Sequence, residues 1–208
     1  MRFIGPSDDP DPMKKEFSTG IPSLDHYLGG LYGGDSLIVY HSSKEFWKKL
    51  LNHIISYVKK NNFSIYHCTV GKDIPPGLQG YGKGYYVEID RQKSIAEYTK
   101  KLKRSFESVS SNSYIILDDL TAWNNLIPSE QGVCLLYERI LEYSRQKKCI
   151  VLSSVLRSEF AVETLASLKE ASSLCLDVTH HLNDIYVTPL IRAPKADRCE
   201  PACDRWCP

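Results

Sequence analysis

Ser36-Leu37-Ile38-Val39-Tyr40-His41-Ser42-Ser43-Lys44-Glu45-Phe46-Trp47-Lys48-Lys49-Leu50-Leu51-Asn52-His53-Ile54-Ile55-Ser56-Tyr57-Val58-Lys59-Lys60 is the stretch that decides the fold. Leu37–Tyr40 reads as a short buried strand, and Lys44–Val58 as an amphipathic helix directly after it. Strand, tight turn and helix is the setting of a phosphate-binding loop. Such a loop needs glycines, so that its backbone N–H groups can wrap a phosphate, and a lysine for the outer phosphates. The turn here is His41-Ser42-Ser43, without glycine, and Gly33 and Gly34 lie before the strand instead of after it. The expectation is a nucleotide-binding architecture whose phosphate site has been dismantled.

Upstream, residues 1–16 hold three prolines and no periodicity and read as a flexible lead-in. Phe17 to Asp35 is more informative. Pro22 presets φ for the first turn of a short helix that Gly29 or Gly30 stops, and Gly33-Gly34-Asp35 turns the chain into the strand at Ser36. Ser18-Thr19-Gly20-Ile21-Pro22-Ser23-Leu24-Asp25-His26-Tyr27-Leu28-Gly29-Gly30-Leu31-Tyr32-Gly33-Gly34 resembles the opening of RecA-superfamily ATPases, the KaiC and RadA branch above all. The matching residues are Gly20, Ile21, Leu24, Asp25, Leu28, Gly29, Gly30 and Gly34, with one glycine of the family's run dropped. The resemblance implies a RecA-like core over residues 17–192. That core is a three-layer α/β/α sandwich with a mostly parallel central sheet and a C-terminal antiparallel hairpin.

Downstream, Phe63–Val70 alternates and is rich in β-formers, so it is the second strand. In the resembled family this strand ends in a glutamate that activates water; here it ends Thr69-Val70-Gly71-Lys72. Residues 71–84 are dense in glycine and proline and read as a loop. Tyr81, Lys83, Tyr85 and Tyr86 are candidates for a base-stacking platform or, alternatively, ordinary strand aromatics. Ser94–Ser108 is a helix with Ile95, Tyr98, Leu102 and Phe106 on one face. Lys100, Lys101, Lys103 and Arg104 on the other are a solvated face or a nucleic-acid or partner patch.

Tyr114-Ile115-Ile116-Leu117-Asp118-Asp119 is an apolar strand that delivers carboxylates to the carboxyl edge of the sheet, where α/β ligands bind. By the resemblance, Asp118 matches the Walker B aspartate that serves the magnesium of ATP, and Asp119 stands where the family has a small residue. Read from the residues alone, Asp118 caps the following turn or hydrogen-bonds nearby backbone amides. Thr121–Ser129 reads as a loop with Trp123 half exposed as a partner contact, and Glu130–Lys148 as a long helix. Cys149–Val155 is a buried strand whose end, Val155, stands where the family has a polar sensor, and Leu156–Glu159 is too short for a recombinase DNA loop. A helix at Ala161–Lys169 precedes two strands, Ala171–Val178 and Ile185–Ile191, joined through Asn183-Asp184. Arg192 matches the arginine of a Lys-x-Arg pair that reaches a neighbour's nucleotide in KaiC-type proteins, with Leu190 in the lysine's place. Residues 193–208 read as a tail. Its Cys199, Cys203 and Cys207 lack the C-x2-C spacing of a zinc site, so no metal is expected.

With 208 residues, 42% apolar and 25% charged, the chain fits one α/β domain, and its net charge of +1 provides no global field for nucleic acid. No apolar run approaches the ~20 residues of a membrane-spanning helix, and no signal-peptide pattern opens the chain, so a cytoplasmic protein is expected. The functional expectation is a non-catalytic RecA-like protein that needs no cofactor and pairs with another RecA-like subunit. Two alternatives stand beside it. In one, His41, Ser42, Ser43 and Lys44 still hold ATP and magnesium as a deviant loop. In the other, Lys83, Tyr85, Lys100, Lys101 and Arg104 bind nucleic acid, as in a recombinase paralogue.

Overall fold

The computed structural model describes residues 17–70, 84–89, 94–127, 129–183 and 186–196, with backbone alone at 69–70, 84–89, 180–183 and 186–196. Five parallel strands form the centre: β1 (Ser36–His41), β2 (Ile65–Val70), β3 (Gly84–Ile89), β4 (Tyr114–Leu117) and β5 (Ile150–Leu156), in the order β3-β2-β4-β5-β1. β6 (Leu174–Asn183) adds parallel to β1, and β7 (Tyr186–Ala196) lies antiparallel along β6.

β1 and β4 are buried at every position, as strands with helices on both faces must be. Their alternate residues feed two separate cores. Leu37, Val39, Tyr114 and Ile116 face α1 (Pro22–Tyr27) and α2 (Lys44–Lys60). Ile38, Tyr40, Ile115 and Leu117 face α3 (Ile95–Glu107), α4 (Leu120–Asn124), α5 (Glu130–Lys147) and α6 (Val162–Ala171). α2 buries Trp47, Leu50, Leu51, Ile54, Ile55 and Val58 at helical spacing, each contributing on the order of 1.5–3 kcal/mol of transfer free energy.

The glycine-rich opening segment has a structural job. Asp25 accepts hydrogen bonds from the Thr19 N–H at 2.8 Å, from the Thr19 hydroxyl at 2.8 Å and from the Ser18 hydroxyl. Tyr114 ties the same segment to β4 through both the N–H and the carbonyl of Ser18, each at 2.9 Å. Gly20 has φ +80°, and a Cβ there would meet the His53 carbonyl oxygen at 2.8 Å, so the turn packs straight onto α2.

Two boundaries differ from the sequence reading. Residues 121–124 belong to α4, started by Asp119, whose side chain accepts from the Thr121 N–H at 3.0 Å. The tail begins later than residue 193, because β7 runs through Ala196. Between the pairs Asp177↔Arg192 and Cys175↔Lys195, β6 advances two residues and β7 three. Pro194 therefore sits where the register of the pair shifts, a position at which proline is tolerated in a strand.

Candidate functional site

β1 sends its chain into α2 on one face of the sheet, while its neighbour β5 connects to α6 on the other. Connections that part to opposite faces open a crevice at the carboxyl ends of the strands, the place where α/β sheets hold ligands. His41, Ser42 and Ser43 lie at that point, with Lys44 and Trp47 in the first turn of α2. His67 approaches from β2, Asp118 and Asp119 follow β4, and Arg157 follows β5.

Three charged groups at the α2 side of this edge, Asp118, Asp119 and Lys44, have internal partners. The indole Nε1 of Trp47 donates to Asp118 Oδ1 at 2.8 Å. His67 Nε2 stands 3.6 Å from Asp118 Oδ2, beyond hydrogen-bond length. Lys44 Nζ lies 2.8 Å from Asp119 Oδ2. Burial by itself raises the Asp118 carboxyl, but the His67 contact, the Trp47 N–H and the Lys44 charge outweigh it and hold the group below the usual carboxylate range. The Asp119 contact raises the Lys44 ammonium.

The loop itself is built without a cradle. Ser43 adopts an extended backbone as the N-cap of α2, and its hydroxyl accepts from the Glu45 N–H at 3.3 Å. His41 is fully buried, and neither ring nitrogen has a hydrogen-bond partner among the described residues. Burial and the nearby Lys44 charge lower its pKa despite Asp119 and Asp118, so the ring is neutral at physiological pH. On the other side of β1, Arg157 pairs with Asp177 and lies 5.5 Å over the Tyr40 ring.

Of the residues singled out from sequence, His41, Ser42, Ser43, Lys44, Asp118 and Asp119 converge on this edge. Asp119, not Asp118, caps the following turn. It does so at φ +57°, a left-handed conformation that aspartate tolerates better than most side chains. Lys100, Lys101 and Arg104 lie on α3, on the opposite face of the sheet from α2. Trp123 corrects the sequence reading: it is fully buried within the α3–α6 core and has no surface to offer a partner. The reason is α4, whose single turn aims the indole inward where a loop was expected. Lys83 lies outside the described residues, and for Tyr85 and Arg192 only the backbone in β3 and β7 is described. Cys199, Cys203 and Cys207 also lie outside the described residues.

Trp47 and His67 are the site residues that sequence reasoning missed. Both sit in apolar patterns, at a core position of α2 and in the β2 alternation, and neither carries a local sign of a carboxylate partner. Among the described residues, no group of three or more His, Cys, Asp or Glu is placed to hold a metal ion. No helix among them is long and apolar enough to cross a membrane. Neither a family model nor a curated protein matches this chain.

Proposed function

We propose that this protein is a catalytically inactive RecA-like module that works by binding a partner, and that the partner is another RecA-like subunit. The observation that carries this reading is the hydrogen bond from Trp47 to Asp118. Asp118 is the carboxylate that a magnesium-bound nucleotide would have to use. It is held instead by an indole from the helix whose tip would face the phosphates. Lys44, the one cation at that tip, is drawn to Asp119.

Admitting a triphosphate requires freeing Asp118, at about 1.5–3 kcal/mol for a hydrogen bond to a charged group. Freeing Lys44 adds at most about 1 kcal/mol, because its side chain is 59% exposed and water screens the pair. Together these weaken binding roughly ten- to a thousand-fold before any loss from the missing glycines. Phosphoryl transfer rests on positioning and electrostatics, and a site spent on internal contacts supplies neither.

The choice of partner rests on the resemblance of Gly20 to Gly34 to the RecA-superfamily opening, and on the buried contacts that keep that segment in place without a nucleotide. Two measurements test the proposal. Magnesium-dependent phosphate release by the wild-type chain, lost in Lys44→Ala, overturns the inactive reading and restores the deviant-loop enzyme. Light scattering of the chain mixed with a RecA-like ATPase tests the pairing, and a mixture that scatters as two separate species removes it.

A further inference from the structure

Of the described helices, α2 carries the largest net positive charge. The helix holds Lys44, Lys48, Lys49, Lys59 and Lys60 against the single acid Glu45. Five positive charges less one give +4. The whole chain carries +1, so everything outside α2 sums to −3. The 17 residues of α2 are thus a basic strip on a mildly acidic body. α3, by comparison, has two acids and four bases, α5 three acids and three bases, and α6 two acids and one base.

The geometry makes the strip continuous. Lys48 and Lys49 are followed by Lys59 and Lys60 after eleven residues, about three helical turns, so the two pairs share one face. They stand about 16 Å apart along the axis. Asn52, His53 and Ser56 fill the interval, all exposed. Lys48, Lys49 and Lys60 are exposed, and no carboxylate among the described residues lies within ion-pair distance of them.

We propose that this face of α2 binds the phosphate backbone of a nucleic acid without reading sequence. The composition of the face favours that partner over an acidic protein. A stable protein interface is anchored by buried aromatic or aliphatic side chains at its centre. This face offers no exposed apolar anchor between its lysine pairs: six apolar residues of α2 are buried, and Phe46 and Tyr57 are partly buried and packed against the same core. Phosphate contacts need only cations and hydrogen-bond donors, which are what the strip supplies. The inference is independent of whether the carboxyl-edge site binds nucleotide, since the strip lies on the opposite side of α2 from Trp47.

The test is fluorescence anisotropy of a labelled duplex DNA against the full chain over a salt series. Three lysine–phosphate contacts predict a slope near −2.7 in log K against log salt, so that affinity falls about 40-fold between about 50 and 200 mM. Lys48→Gln/Lys49→Gln/Lys60→Gln flattens that dependence and weakens low-salt binding more than tenfold, while circular dichroism confirms the fold. Lys100→Gln/Lys103→Gln/Arg104→Gln leaves binding within twofold. Four results overturn the proposal: no binding in low salt, binding that ignores salt, binding lost in the α3 variant but kept in the α2 variant, or equal binding of a labelled polyglutamate.

Discussion

Replacing Trp47 by phenylalanine isolates the contact on which the candidate site turns. The indole is 3% exposed and packs with Leu50, Leu51 and Ile54 against β1, so phenylalanine keeps most of the apolar contact. What is lost is the 2.8 Å hydrogen bond to a carboxylate that remains about one quarter exposed. A hydrogen bond to a charged group accounts for about 1.5–3 kcal/mol, and the smaller ring leaves a void costing about 1 kcal/mol more. Trp47→Phe is therefore expected to destabilise the protein by roughly 2–4 kcal/mol, a fall of roughly 4–16 °C in Tm for a domain of this size.

Urea unfolding of wild type, Trp47→Phe, Asp118→Asn and the double variant separates the two parts. The cycle gives a coupling of about 1–2 kcal/mol between the residues if the bond to the ionised carboxylate matters. Its pH dependence has a definite sign. The folded Asp118 carboxyl titrates below its unfolded value, so its stabilisation is present above about pH 4. That stabilisation disappears as pH falls through the lower folded value, so the gap between wild type and Trp47→Phe narrows towards pH 3. Single variants that add to within about 0.5 kcal/mol, or a gap unchanged by acid, refute the argument that Trp47 holds the ionised form.

His41 predicts the reverse of the usual loss on mutating a buried polar group. Both ring nitrogens lack partners among the described residues, so His41→Leu is expected to be neutral or stabilising by up to about 1 kcal/mol in urea unfolding at pH 7. Because burial lowers its folded pKa, wild type keeps its full stability above about pH 6.5 and loses it as pH drops towards the folded value; His41→Leu removes that slope. Gly20→Ala places a Cβ 2.8 Å from the His53 carbonyl at φ +80° and is expected to cost more than about 2 kcal/mol, read as a Tm shift.

Much of the architecture is legible in the chain because its periods are clean. Leu37 to Tyr40 and Tyr114 to Leu117 are continuous apolar runs, and parallel strands covered on both faces require them. The spacing of Tyr98, Leu102 and Phe106 places α3, and Ser94-Ile95-Ala96-Glu97 marks its start with a capping box that the sequence reading passed over. The carboxylates of the candidate site were equally legible, since a strand that ends in Asp118-Asp119 must present them at the sheet edge. What fills the site was not. Trp47 and Asp118 lie 71 residues apart, and a tryptophan on an apolar helix face looks the same whether it packs against a neighbour or donates to a carboxylate. Trp123 failed for a related reason: a five-residue helix leaves too short a pattern to show a period.

Isothermal titration of the full chain with magnesium and ATP addresses the central claim most directly. With Asp118 held by Trp47 and no glycine in the His41-Ser42-Ser43 turn, no heat of binding is expected for any Kd tighter than about 0.1 mM. A micromolar Kd that requires magnesium and vanishes in both Lys44→Ala and Asp118→Asn would show that the edge is a working nucleotide site.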